Sequence, residues 1–159
     1  MLETSFSHHK TLSKSSRFFW LMGLYTENYS TLDQLFAPNT LACGRYISQL
    51  PGQLPLNVDI VARHRYTIEM FITYSMQDDH THLEFGPSAR IRVYCDTQQV
   101  ETTHCDVSQH LQRALLGQPT PIVTTRYRLH INTFLGKWLD YLLACGHSTH
   151  TLYPLVIYS

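Results

Sequence analysis

Charge is scarce in this chain, and its two signs cancel. Only 15% of the residues are Asp, Glu, Lys or Arg, and twelve basic and twelve acidic side chains leave no formal net charge with His neutral. No global field therefore draws the molecule toward nucleic acid or an anionic membrane. Glycine is thin as well. Its seven residues never gather into G-x-G-x-x-G or a P-loop, which excludes the glycine cradles that hold nucleotide phosphates. The four cysteines, Cys43, Cys95, Cys105 and Cys145, are scattered without C-x-x-C or zinc-ribbon spacing. A secreted disulfide scaffold is shorter and denser in cysteine. These four read as reduced thiols in a cytoplasmic setting, mostly buried as small apolar groups. Long apolar runs are missing too: no stretch approaches the roughly 20 residues of a membrane span. Lys10, Lys14 and Arg17 precede an apolar segment, 18–25, but no small-x-small cleavage site follows it. Its apolar spacing continues in helical register, so it reads as a helix rather than a secretory signal.

What is present is apolar and aromatic. Hydrophobic residues make up 43% of the 159 and aromatics 12%, which is too apolar for a disordered chain and enough for one self-sufficient domain. Residues 1–14, rich in Ser, Thr, His and Lys, read as a loose tail, and 15–159 as a single α+β domain. Ser15 or Ser16 can cap a first helix over 17–36, whose stripe is Phe18, Met22, Tyr25, Tyr29, Leu32 and Phe36, with Pro38 stopping it. A connection with a short strand around Tyr46 follows. From Leu56 the period becomes two. Leu56, Val58, Ile60 and Ala62 form one side of a strand, and Tyr66, Ile68, Met70, Ile72 and Tyr74 one side of the next. A third strand sets Ala89, Ile91, Val93 and Cys95 against Arg90, Arg92 and Tyr94, and a fourth covers 98–104. A short helix over 107–116 and a long one over 125–144 complete the chain. The long helix carries Ile131, Phe134, Leu135, Trp138, Leu142 and Leu143, with Gly146 as its stop and a docking edge segment from Leu152 to Tyr158. Strands without intervening helices predict an antiparallel meander of about four strands with both long helices on one sheet face.

Three stretches together resemble the YqiB-like family, small proteobacterial proteins known as a domain of unknown function. They are the helix end 25–32 with Leu35, Phe36 and Pro38; Arg65-Tyr66-Thr67 with 87–96 and Val100-Glu101; and 130–139 running to Cys145-Gly146-His147. The chain departs from the pattern in places. Ala62 stands where relatives carry an acid before the hairpin turn, and Thr125-Arg126-Tyr127-Arg128 replaces the Tyr-Pro-Asn and Asp-Glu-Lys elements before the final helix. The resemblance implies a bacterial, cytoplasmic, single-domain protein and supplies no activity.

Each candidate chemistry has a plainer competitor. Asp78, Asp79, His80 and His82 crowd one loop, but a zinc site needs three or four ligands in a set geometry, and no second pair stands at a recognised spacing. A solvated loop accounts for them, so no metal and no cofactor is expected. No G-x-S-x-G occurs, and His104-Cys105 is mere adjacency, so no catalytic residue is assigned. Arg63, Arg90 and Arg92 with Tyr94 mix cations and an aromatic as a stacking platform does. The acids Asp59, Glu69 and Glu101 nearby, with zero net charge, argue instead for a sheet face of cross-strand pairs. Nucleic acid is therefore disfavoured as a partner. The leading expectation is a non-catalytic binding or interaction domain. Its open sheet face would carry Arg63, Arg90, Arg92, Tyr94 and Glu101, and would take a protein, a small anionic ligand or a second copy as a homodimer. The competing expectation is a small enzyme acting on a phosphorylated or carboxylated metabolite, with Arg90 and Arg92 as the anion clamp.

Overall fold

The computed structural model describes residues 14–75, 87–106 and 121–156. Helix α1 (Lys14–Phe36) leads into a single 3-10 turn (Pro38–Thr40) and strands β1 (Gly44–Ser48), β2 (Leu56–Arg63), β3 (Thr67–Tyr74), β4 (Ser88–Tyr94) and β5 (Gln99–Asp106). Helix α2 (Pro121–Cys145) and a short β6 (Leu152–Pro154) end the described chain. The fold is α+β. All neighbouring strands are antiparallel, in the order β5-β4-β3-β2-β1-β6. The sheet thus has six strands rather than about four, because the Tyr46 segment pairs with β2 on one side and the C-terminal segment on the other. The predicted helix over 107–116 and the Asp78–His82 loop lie outside the described residues.

Period-two alternation puts Leu56, Val58 and Ile60 of β2, Ile68, Met70 and Ile72 of β3, and Ala89, Ile91 and Val93 of β4 into one buried cluster. Leu32, Leu35 and Phe36 of α1 and Ile131, Leu135, Trp138, Leu139 and Leu142 of α2 join it. The helices pack on each other, and both touch β5. The buried stripe of α1 runs through Leu21, Tyr25, Asn28, Leu32 and Leu35, whereas Phe18 is 57% exposed. The stripe is thus shifted from the one read through Phe18 and Met22, a drift that four-residue steps alone cannot resolve over six turns. Pro121 opens α2, where a missing N–H is harmless, so this helix begins earlier than Thr125.

The helix crossing is set by a polar lock. The Asn28 amide donates to the Asn132 carbonyl at 3.0 Å, and the backbone N–H of Thr102 donates to Asn132 Oδ1 at 2.9 Å. A Cβ on Gly136 would stand 2.8 Å from Asn28 Oδ1, so a larger residue there would displace the Asn28 side chain from this lock. Two bulges break the sheet register, one in β2 between Ile60 and Ala62, the other across β4 and β5 between Arg90 and Ile91.

Helix α2 ends in a Schellman motif. Gly146 at φ 106° lets its own N–H reach the Leu143 carbonyl, and the His147 N–H reach the Leu142 carbonyl, both at 3.1 Å. His147 is then buried against β1, its Nδ1 2.6 Å from Ser48 Oγ, which also lies 2.7 Å from Thr151 Oγ1. Burial lowers the His147 pKa from the ordinary 6.5. As pH falls below 6.5, the unfolded imidazole binds a proton that the folded one resists, so ν for the unfolded state exceeds that for the folded state and stability drops. Above 6.5 both forms are neutral and the contribution is flat. Urea midpoints measured from neutral pH downward are expected to fall more steeply for the native protein than for His147→Gln. Parallel curves would show that this imidazole protonates in the folded state.

Candidate functional site

Residues directly opposite one another in an antiparallel sheet share a face, so the registers define cross-strand rows on the side away from the core. One row reads Arg45, Asp59, Phe71, Arg90 and His104 across β1 to β5. The next reads Ala62, Glu69, Arg92 and Glu101, and Tyr94 stands opposite Gln99 beyond it. A shallow groove of about 300 Å³ lies across these rows, lined by Asp59, Glu69, Phe71, Arg90, Arg92 and Thr103 among others.

The second row is internally paired. Arg92 Nη2 meets Glu69 Oε1 at 3.3 Å, with both side chains about 40% exposed. The Tyr94 hydroxyl donates to Glu101 Oε1 at 2.5 Å. Tyr94 and Glu69 both interact with the Arg92 guanidinium and raise its pKa, Tyr94 having the larger effect. Burial, then the Glu101 carboxylate, pushes the Tyr94 phenol up. Tyr25 of α1 reaches the same carboxylate, and burial followed by the Glu101 charge pushes its pKa up to about 12. Arg92, Tyr94 and Glu101 thereby form one connected network with Glu69 and Tyr25.

The first row behaves differently. Among the described residues Arg92–Glu69 is the one ion pair, so no described carboxylate holds Arg90. Its guanidinium instead lies 5.9 Å from the Phe71 ring centre, near the outer limit of a cation–π contact. Burial raises the Asp59 carboxyl, with Arg45 opposing.

Arg63 is not part of this face. The bulge at Val61 inserts one residue, so Ala62 moves opposite Glu69 on the groove side and Arg63 moves opposite Ile68, whose side chain is in the core. There Arg63 donates to the carbonyls of Pro38, Asn39 and Leu41, closing the 3-10 turn. Simple alternation had put Ala62 with the core and Arg63 on the open side. The second bulge likewise brings His104 opposite Arg90 and leaves Thr103 at the groove. Asp59, Glu69 and Phe71 were readable from alternation as groove-side residues, but only the register shows that Asp59 and Arg90 flank Phe71.

A second groove, about 400 Å³, runs along the seam of α1 and α2 over Asn28 and Gly136. It offers no aromatic surface, and its lysine, Lys137, shares it with Glu27 and Asp140. Among the described residues no three His, Cys, Asp or Glu side chains are grouped to hold a metal ion, and no helix is long and apolar enough to cross a membrane. None of the four cysteines is joined in a disulfide.

The family described as "Protein of unknown function (DUF1249)" matches residues 31–148, and the chain belongs to it. No curated protein and no solved structure matches the chain.

Proposed function

We propose that this member of the DUF1249 family is a cytoplasmic, non-catalytic binding domain that takes a small anionic ligand on its open sheet face. The observation that carries the reading is Arg90, a guanidinium held near an aromatic ring, facing a groove and free of any described carboxylate. A guanidinium fork of this kind suits carboxylate or phosphate. Arg92, Tyr94 and Glu101 are engaged with each other and with Glu69, so in this reading they shape and stiffen the floor while Arg90 makes the contact. Four cysteines without a disulfide support the cytoplasmic placement, and the quoted motifs support the YqiB-like branch within the family.

Ligand-observed NMR with benzoate and with inorganic phosphate tests this. Saturation transfer to at least one anion is expected with the native protein and should be lost with Arg90→Gln, while the melting temperature stays within a few degrees, about what an exposed position allows. Equal transfer to both proteins would remove Arg90 from the site. The enzyme reading, acting on a phosphorylated or carboxylated metabolite, draws on one observation, the raised Asp59 carboxyl in the same groove. Chemical conversion of a bound ligand by the native protein, abolished in Asp59→Asn, would select it instead.

A further inference from the structure

We propose that the groove recognises a small dipolar molecule. Its flat middle lies on Phe71, its anionic end meets Arg90, and a cationic or N–H-donating end meets Asp59. This rests on the open-face binding reading and adds a demand that reading does not make, namely a second charged end.

The argument comes from the order of side chains across the strands. In the row Asp59, Phe71, Arg90, the acid and the base are separated by one full strand carrying an aromatic. Their backbones are two inter-strand steps apart, about 9–10 Å, so their opposite charges flank the ring instead of meeting over it. The neighbouring row shows what the same sheet does when pairing is the aim. There Glu69 and Arg92 are directly opposite and form an ion pair, and Glu101 stands opposite Arg92 on its other side. Direct neighbours stabilise a sheet through cross-strand attraction. The Asp59–Arg90 pair, separated by a strand, contributes little of that, so cross-strand pairing does not account for the place of Arg90. Arg45 stands opposite Asp59 on the far side but makes no ion pair with it among the described residues.

The dimensions agree with a small ligand. About 300 Å³ of groove lies at the lower end of small-molecule sites. Phe71 is half-buried and lines the groove between the acid and the base. The Arg90 guanidinium stands over the ring at 5.9 Å from its centre, near the outer limit of a cation–π contact, a distance at which a planar group can share the ring with it. Thr103, displaced into the groove by the bulge, adds a hydroxyl beside Arg90. A molecule with only an anionic end would satisfy Arg90 and leave the Asp59 carboxylate, already disfavoured by burial, further desolvated with only the Arg45 charge to offset it.

Titration of the native chain with para-(aminomethyl)benzoate, benzoate and benzylamine, followed by protein NMR shifts, separates the possibilities. The dipolar probe is expected to bind about tenfold or more tighter than benzoate, a difference of about 1.4 kcal/mol. Asp59→Asn should erase that advantage, whereas Arg90→Gln should weaken both carboxylates. The saturated analogue, trans-para-(aminomethyl)cyclohexanecarboxylate, keeps both charges without the flat ring. It should bind the native protein more weakly, a result independent of whether any variant folds. If benzoate binds in an Arg90-dependent way and the dipolar probe is no better, the dipolar inference falls and the anion-binding reading stands. If neither carboxylate shifts any resonance of the groove at millimolar concentration, both fall.

Discussion

Trp138→Ala is expected to destabilise the protein by about 3–5 kcal/mol, the usual cost of deleting a buried large aromatic. Trp138 is 5% exposed within the α2 stripe. Its indole N–H donates to the Tyr74 hydroxyl at 3.1 Å, and its ring lies 5.7 Å from that of Tyr74 and 6.2 Å from that of Phe134. The residue therefore ties the last helix to the end of β3 through packing and one polar contact. Alanine removes the ring and leaves a cavity that neighbouring side chains on rigid elements close only in part. Urea denaturation with an unchanged m-value would report the loss as a lower midpoint. Trp138→Phe should lose less, since it keeps most of the apolar surface and sacrifices only the hydrogen bond. A loss under about 1 kcal/mol for the alanine variant would place this ring outside the core.

Asn132→Leu is the second large effect, and its origin is polar. Asn132 is fully buried, yet its Oδ1 accepts from the Thr102 backbone at 2.9 Å and its amide donates to the Arg128 carbonyl at 2.8 Å. Thr102 sits where the bulge interrupts the β4–β5 ladder, so its N–H turns to the helix for a partner. Leucine keeps the branched shape and removes the acceptor, leaving a buried N–H unsatisfied. The expected cost is about 1–3 kcal/mol, and hydrogen exchange at Thr102 should accelerate relative to its strand neighbours. Unchanged stability and protection would mean that another group satisfies this N–H. The contrast between the two residues is instructive: Trp138 contributes area, whereas Asn132 specifies where α2 may sit on β5.

Within the strands, sequence reading succeeded where period two ran unbroken, whereas the α1 stripe read through Phe18 was shifted and Tyr66, before β3, is exposed. Alternation in 66–74 and 89–95 put Ile68, Met70, Ile72, Ala89, Ile91 and Val93 together on one side, and these are buried as a set. It failed where a bulge changed the count. Leu56, Val58 and Ile60 face the core as alternation says, but one added residue at Val61 sends Ala62 to the groove and Arg63 to the carbonyls of the 3-10 turn. No glycine or proline marks that bulge in the sequence, so nothing local announced it. The same holds at Thr103. Of the five residues assigned to the open face, Arg90, Arg92, Tyr94 and Glu101 share it, and Arg63 does not.

By itself the sequence determined the α+β class, the two long helices, the strands of the central meander and the alternation that sorts most of their side chains. These follow from hydrophobic spacing within short windows, which local backbone geometry converts directly into faces. Tertiary structure alone decided three things: the strand order, which adds β1 and β6 to the sheet, the bulges that relocate Arg63 and Thr103, and the flanking of Phe71 by Asp59 and Arg90. Asp59, Phe71 and Arg90 lie on three different strands, and their adjacency depends on register. Register is set by how whole strands bury their apolar sides together, and no single segment's pattern contains that information.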